Sequence, residues 1–187
     1  GYMHGFPSAP FVSKFKADGT SEWTKTLDFT GNANDIATDS NDYIYIIGTT
    51  DQDPISNGDI FLSKFNSNGQ KEWTNLIGTS LYDNGLSIEI GEDDSIFIAG
   101  ETVGNLDGFK NNGDFDCFIS NYNLDGNWNW TQLFGSNTHD QGGYITIGSD
   151  NSIYFTGHTY GDLDNESNNG GPKDAFIRKL SIEFQTS

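Results

Sequence analysis

Residues 88–100 read IEIGEDDSIFIAG, two short apolar runs at 88–90 and 96–99 that are separated by Gly, Glu, Asp and Ser. Short β-branched and aromatic runs on either side of turn-forming residues are typical of a β-hairpin. Because residues 96–99 are apolar at every position, we expect both faces of that strand to be buried. The stretch therefore predicts a hairpin whose return strand lies between two layers of an all-β protein.

Two intervals of fixed length recur along the chain. An interval of 12 residues from an Ile to a Gly occurs at 36–48, 88–100 and 145–157. A second interval of 12 residues, from a Phe to a Trp, occurs at 11–23, 61–73 and 118–130. The stretches between these intervals vary in length. Fixed units that alternate with variable loops indicate a repeat protein whose strand pairs share one core.

The Phe-to-Trp interval also predicts a hairpin. Residues 61–65 form a short alternating strand, residues 66–69 have turn chemistry, and a second strand begins at residue 72. The Gly near the tip supplies the positive φ that a tight turn needs. Copies of this Gly are Gly19, Gly69 and Gly126.

Two hairpins per copy give four antiparallel strands per repeat. A four-stranded unit that is buried on both faces predicts the blade of a β-propeller, in which blades stack around a shared axis. A linear β-solenoid is the competing arrangement, but its repeats are normally much shorter. We therefore expect one propeller domain over residues 1–187, with repeat boundaries near 1–47, 48–99, 100–156 and 157–187. Since propellers have 4–8 blades, the three and a half repeats present predict part of a larger ring.

The repeat also resembles a known family. Residues 100–108 contain Gly-Glu-Thr followed by a Gly/Asn/Asp loop, then come Asp116-Cys117-Phe118 and Trp130. With Asp174-Ala175-Phe176 in the last copy, this pattern resembles the SBBP bacterial β-propeller repeat. The first copy departs from it, because Ala9-Pro10 precedes Phe11 and the Asp is absent. The resemblance implies a propeller in a secreted or surface-exposed bacterial protein, without catalytic residues.

Composition excludes several classes of partner. The chain of 187 residues has a formal net charge of −18, which repels nucleic acid and anionic membrane surfaces and suits divalent cations. No stretch approaches the ~18 apolar residues of a membrane span. Cys117 is the single cysteine, so no internal disulfide can form. We expect Cys117 to be a small buried residue on a strand.

The long loops that follow the repeat Gly are rich in oxygen ligands. Gly-punctuated loops of Asp and Asn can wrap carboxylates and carbonyls around Ca²⁺, although none has EF-hand spacing. The alternative is that these side chains cap turns, and that the Asp before the repeat Phe (Asp59, Asp116, Asp174) accepts backbone N–H groups. The candidate calcium ligands are Asp107, Asp114, Asp116, Asp162, Asp164 and Asp174.

Tryptophans provide the other candidate contacts. Because Trp23, Trp73 and Trp130 occupy the same repeat position, we expect them to pack between blades. Trp128 lies outside the repeat pattern, so it is the better candidate for an exposed contact with a ligand such as a glycan.

These observations predict a non-enzymatic, extracellular scaffold or binding module of a bacterial surface or secreted protein, such as an adhesin or appendage component. Its expected partners are proteins or glycans at the cell surface, and the rest of a larger propeller or another subunit. Nucleic acid binding and membrane insertion are not expected. The alternatives are a glycan-binding, lectin-like propeller and a propeller hydrolase or lyase with its site at one mouth of the ring.

Overall fold

The structure, a computed structural model, describes residues 9–51, 58–164, 166–168 and 171–181. Over these residues the chain is all-β, with thirteen strands in four antiparallel sheets and one 3₁₀ turn at Leu106–Gly108. The all-β prediction is confirmed. The described part contains no helix long and apolar enough to cross a membrane. Both ends of the domain predicted over 1–187 lie outside the described residues.

Each sheet is a meander in which consecutive strands pair in chain order. Sheet 1 contains β1 (Phe11–Phe15) and β2 (Ser21–Thr26). Sheet 2 contains β3 (Gly31–Thr38), β4 (Ile44–Thr50), β5 (Asp59–Phe65) and β6 (Lys71–Ile77). Sheet 3 contains β7 (Asp83–Ile90), β8 (Ile96–Thr102), β9 (Asp116–Tyr122) and β10 (Trp128–Phe134). Sheet 4 contains β11 (Asp140–Ile147), β12 (Ser152–Thr159) and β13 (Asp174–Ser181).

Both predicted kinds of hairpin are present, but the sheets do not divide where the sequence period does. The Ile-to-Gly hairpin pairs with the Phe-to-Trp hairpin that follows it, so sheets 1, 2 and 3 end with the strand that contains the repeat Trp. The repeat boundaries near residues 48, 100 and 157 consequently fall inside β4, β8 and β12. A repeat counted from Gly to Gly therefore spans parts of two sheets.

The repeat Gly and the repeat Phe lie opposite each other on paired strands. Gly100 pairs with Phe118, and the same register joins Gly48 to Phe61 and Gly157 to Phe176. A Cβ added at Gly100 would lie 2.9 Å from Phe118 Cε1 and would collide with the main-chain oxygen of Asn84. The Gly is therefore required because the main chain of one neighbouring strand and the Phe ring of the other leave no room for a Cβ.

The core is divided into three clusters, each between two consecutive sheets. We call these the first, second and third seams, between sheets 1 and 2, 2 and 3, and 3 and 4. Trp23 packs in the first seam, Trp73 in the second and Trp130 in the third, as the repeat predicted. The side chain of Cys117 is buried in the third seam, also as expected.

The repeat Trp also explains the turn Gly of the next sheet. A Cβ added at Gly69 would lie 2.9 Å from Trp23, and one added at Gly126 would lie 3.2 Å from Trp73. Both glycines have positive φ, +73° and +80°. The Trp of one sheet thus covers the turn of the next, which links the two repeat motifs physically.

The first strands of sheets 2, 3 and 4 are close to one another. β3 contacts β7, and β7 contacts β11. Asp35 on β3 accepts hydrogen bonds from the Ile88 N–H at 3.0 Å and the Ser87 hydroxyl at 2.9 Å. Ser87 Oγ in turn accepts the N–H of Ile145 on β11 at 3.3 Å. Side chains therefore satisfy main-chain groups at the open edges of these strands.

Candidate functional site

The structure places the six predicted calcium ligands in separate surroundings. Asp107 accepts the Thr131 hydroxyl, Asp114 Oδ2 lies 3.6 Å from His139 Nδ1, and Asp164 Oδ2 lies 3.3 Å from Arg178. Asp162 accepts the Asn168 N–H at 2.9 Å, Asp174 begins β13, and Asp116 is buried at the third seam. Among the described residues, no three His, Cys, Asp or Glu side chains gather in a way that could hold a metal ion. The loops thus do not bring the six aspartates together.

Asp116 has the local role that the alternative reading predicted. Its Oδ2 accepts the N–H of Asn112 at 2.8 Å, which fixes the loop that enters β9. Burial raises the pKa of Asp116, and the nearby carboxylate of Asp140 raises it further. Asp140 was not predicted as a site residue. Its place in the repeat could have indicated it, because Asp140 and Asp83 both lie five residues before the repeat Ile.

A different site is formed around Trp128, between sheets 2 and 3. The Trp128 cleft has a volume of about 430 Å³. It is lined by the end of β6 with Gly78 (residues 74–78), and by Asp107, Tyr122, Gly126 and Trp128. The cleft therefore combines residues from two neighbouring sheets.

The position of Trp128 follows from its turn and from a bulge. Asn123 Oδ1 accepts the N–H groups of Asp125 and Asn127 at 3.0 and 2.9 Å, which sets the start of β10. The register shifts between Trp128 and Trp130, as at a β-bulge. A bulge re-aims a side chain. Trp130 consequently packs in the third seam, whereas Trp128 remains 49% exposed.

A chain of hydrogen bonds fixes the orientation of the Trp128 ring. The indole Nε1–H donates to Thr131 Oγ1 at 2.9 Å, and the Thr131 hydroxyl donates to Asp107 Oδ2. Asp107 has a φ of +51°, in the left-handed region. Burial raises the pKa of Tyr122, and the neighbouring charge of Asp107 adds to the shift. Tyr122 therefore stays protonated, and its hydroxyl can donate a hydrogen bond.

The opposite wall of the cleft comes from β6. Asn75 Nδ2 donates to the main-chain oxygen of Gly126 at 2.6 Å, which ties the two sheets together across the cleft. Leu76 is 64% exposed beside it. The cleft thus offers an aromatic face, an aliphatic side chain, a carboxylate and an amide. Such a set can pack against an apolar face of a ligand and bond to its hydroxyl groups.

The sequence predicted Trp128 as an exposed residue, and the structure confirms its exposure. It did not predict Asn75, Leu76 or Asp107 as its neighbours. Asp107 had been placed among the calcium ligands, and Asn75 and Leu76 belong to the preceding repeat. No sequence signal joins residues of two repeats, because that contact depends on the angle between the sheets.

The fold and the cleft define an all-β protein of repeated antiparallel sheets. No protein-family model matches the chain, and no curated protein matches it. Among solved structures, the chain is similar to a protein of unknown function from Bacteroides caccae, with 12% sequence identity and a TM-score of 0.54. The match covers 95% of this chain and 57% of that chain, so this chain spans little more than half of its length. At this identity the likeness concerns the fold alone, and the resemblance to SBBP repeats stays a prediction.

Proposed function

We propose that this chain is a non-enzymatic β-propeller scaffold and binding module of a bacterial surface or secreted protein, such as an adhesin or appendage component. Sheets 2 and 3 are four-stranded meanders, the form that a propeller blade takes. The contacts from β3 to β7 and from β7 to β11 support a shared axis, because the first strand of a blade lies nearest to it.

One observation carries the proposal. Leu62 on β5, Ile119 on β9 and Ile177 on β13 occupy the same position in three successive sheets. Leu62 and Ile119 are 0% and 1% exposed because the next sheet covers them, whereas Ile177 is 76% exposed. The outer face of sheet 4 therefore carries an exposed apolar side chain at the position that the next sheet covers in sheets 2 and 3. This supports a larger ring, completed by further repeats or by another subunit.

The charge and the resemblance support the location and the partners. A net charge of −18 disfavours anionic surfaces and leaves proteins and neutral glycans as the better partners. The SBBP-like pattern points to a secreted or cell-surface protein.

Sedimentation velocity tests the ring. If another subunit covers sheet 4, the chain self-associates and the Ile177→Asp variant is monomeric. Leu76→Asp is the matched control, because Leu76 is also highly exposed but lies on β6, away from the face of sheet 4. A chain that is monomeric at every concentration would remove the other subunit from the proposal. Equal loss of association in both variants would contradict the role of sheet 4.

The Trp128 cleft favours glycan binding as a second candidate function. Its ring is exposed and is oriented by the hydrogen bond to Thr131, and Asn75 and Asp107 lie beside it. Rigid aromatic rings with nearby polar groups are suited to sugars, which have apolar faces and hydroxyl edges. A glycan array tests this candidate. We expect Trp128→Ala to reduce affinity by about tenfold or more, equivalent to ~1.4 kcal/mol.

Tyr160→Ala is the matched control for that experiment. Tyr160 is 43% exposed, close to the exposure of Trp128, but it does not line the cleft. Binding that is equally weakened in both variants, or unaffected in both, would exclude the cleft as the glycan site.

A further inference from the structure

We infer that the third seam holds a divalent cation, of which Ca²⁺ is the natural probe, between the carboxylates of Asp116 and Asp140. Asp116 begins β9 in sheet 3, and Asp140 begins β11 in sheet 4. The N–H of Asp140 donates to the main-chain oxygen of Phe115 at 2.8 Å, which places the two aspartates side by side. This site is independent of the ring and of the Trp128 cleft.

Both carboxylates are completely buried, and each is only half satisfied. Asp116 Oδ2 accepts the Asn112 N–H at 2.8 Å. Asp140 Oδ2 accepts the N–H and the hydroxyl of Ser136 at 2.6 and 2.9 Å. The Oδ1 atom of each residue is buried and has no hydrogen-bond partner. A buried carboxylate oxygen without a donor is costly, so one such oxygen on each of two neighbouring aspartates points to a missing positive ligand.

Gly135 lies against both carboxylates. A Cβ added at Gly135 would collide with Asp116 Oδ1 and would lie 2.9 Å from Asp140 Oδ2. Both carboxylates therefore face the same stretch of backbone. The hydrogen bonds from Asn112 and Ser136 hold their orientation in advance, which lowers the cost of ordering ligands around an ion.

The three seams provide an internal comparison. The second seam repeats the Asp-Gly-Asp set, with Asp59 and Asp83 at 2.8 and 2.9 Å from a Cβ added at Gly78. In the first seam all three residues differ. Its equivalents are Ala9, Asp28 and Gly31. The Gly is present only where both aspartates are present, which supports a single unit formed by the three.

The Asp that begins the first strand of the next sheet, Asp83 or Asp140, is bonded differently in the second and third seams. The Thr102 hydroxyl donates to Asp83 Oδ1, and the Thr79 N–H and hydroxyl donate to Asp83 Oδ2 at 2.5 and 3.0 Å. At the third seam the equivalent Thr159 hydroxyl donates to the main-chain oxygen of Gly161 at 3.0 Å, as Thr102 does to Gly104 at 3.3 Å, but it does not reach the aspartate. Asp140 Oδ1 therefore lacks the donor that Asp83 Oδ1 has. The geometry assigns one cation to the third seam and none to the second.

Calcium is the divalent ion that suits this site. Ca²⁺ takes six to eight oxygen ligands in flexible geometry, so two carboxylates leave positions for main-chain carbonyls and water. Its charge of +2 neutralises both carboxylates, which removes the penalty of burying them unpaired.

Calorimetric titration of the full chain with CaCl₂, together with melting curves, tests the inference. We expect one Ca²⁺ per chain and a melting temperature that is higher in millimolar Ca²⁺ than in EDTA, because the ion binds the folded state. Asp140→Asn and Asp116→Asn should abolish the binding. Asp83→Asn, at the second seam, and Asp162→Asn, in an exposed loop, should keep the wild-type stoichiometry.

The melting temperatures separate a cation site from a purely structural role. Asn keeps an oxygen that can accept the Ser136 N–H, but it removes one buried charge. In EDTA we therefore expect Asp140→Asn to melt above the wild type, and in Ca²⁺ below it. A variant that melts below the wild type by the same amount in both buffers would show that Asp140 only caps the loop. Absence of Ca²⁺ binding to the wild type, or binding that survives in both seam variants, would overturn the inference.

Discussion

The repeat Phe offers a matched set of substitutions at one position in different sheets. Phe118 is fully buried in the second seam, whereas Phe11 is 64% exposed on β1. Replacing a buried Phe by Ala costs about 3–5 kcal/mol, from lost burial and the cavity left behind. Since 1 kcal/mol shifts the melting temperature of a domain of this size by about 2–4 °C, Phe118→Ala should lower it by roughly 10 °C.

The same change at Phe11 should cost less than about 1 kcal/mol, because exposed positions contribute little. Urea unfolding followed by tryptophan fluorescence measures both values on the same chain. The difference in cost between Phe118→Ala and Phe11→Ala depends on the neighbouring sheet, because the residue type and the motif are the same. Equal costs for the two variants would refute the claim that stacking of one sheet on the next stabilises the repeat.

Two further predictions concern packing and pH. Gly100→Ala should destabilise the chain by about 1–3 kcal/mol in urea unfolding, because the added Cβ collides with the main chain of Asn84. Gly171→Ala should have little effect, since its nearest atom lies at 3.7 Å, and a similar loss in both variants would contradict the packing argument. Burial raises the pKa of Asp83 and of Glu101, so the folded state binds these protons more tightly than the unfolded state. Their contribution to stability is therefore largest below the unfolded pKa of the carboxyls and falls as the pH rises through the folded pKa. Urea unfolding in EDTA should show greater stability at pH 5 than at pH 7, and a smaller difference in Asp83→Asn; greater stability at pH 7 would be the wrong sign.

Much of the fold follows from local sequence. The hairpins, their turn glycines and the buried return strands β4 and β8 were predicted, because turn chemistry and strand patterning act over a few residues, whereas Thr156 on the third return strand, β12, is exposed. The pairing of the Ile-to-Gly hairpin with the Phe-to-Trp hairpin was not predicted, because the sequence repeat was counted from Gly to Gly. The structure shows that this Gly lies inside a strand, where it accommodates the ring of Phe118 or its equivalent.

A Ser–Thr pair that recurs in the outer hairpins was also not predicted. Ser and Thr face each other across the outer hairpin, with hydroxyl oxygens 2.8 Å apart for Ser13 and Thr24 and 2.7 Å for Ser120 and Thr131. Cross-strand pairs of this kind stabilise a sheet. Because their positions relative to the repeat Phe and Trp are constant, an alignment of the copies would have indicated these pairs.

The candidate sites were less predictable. Acidic loops suggested calcium, but loop composition does not determine which carboxylates meet. Asp116 and Asp140 come together because the N–H of Asp140 bonds to the residue before Asp116 in the neighbouring sheet. The Trp128 cleft likewise needs Asn75 from sheet 2. Contacts of this kind depend on how sheets stack, which the period of one repeat does not encode.

Distances between spin labels test the stacking of sheets about a shared axis most directly. One label pair would replace Ala37 on β3 and Glu89 on β7, and the other Leu76 on β6 and Leu133 on β10, in a Cys117→Ala background. These pairs occupy equivalent positions on the first and last strands of sheets 2 and 3. Blades that fan out from an axis predict a clearly shorter distance for the first pair than for the second. Equal distances would indicate parallel layers, as in a sandwich, and would contradict the propeller.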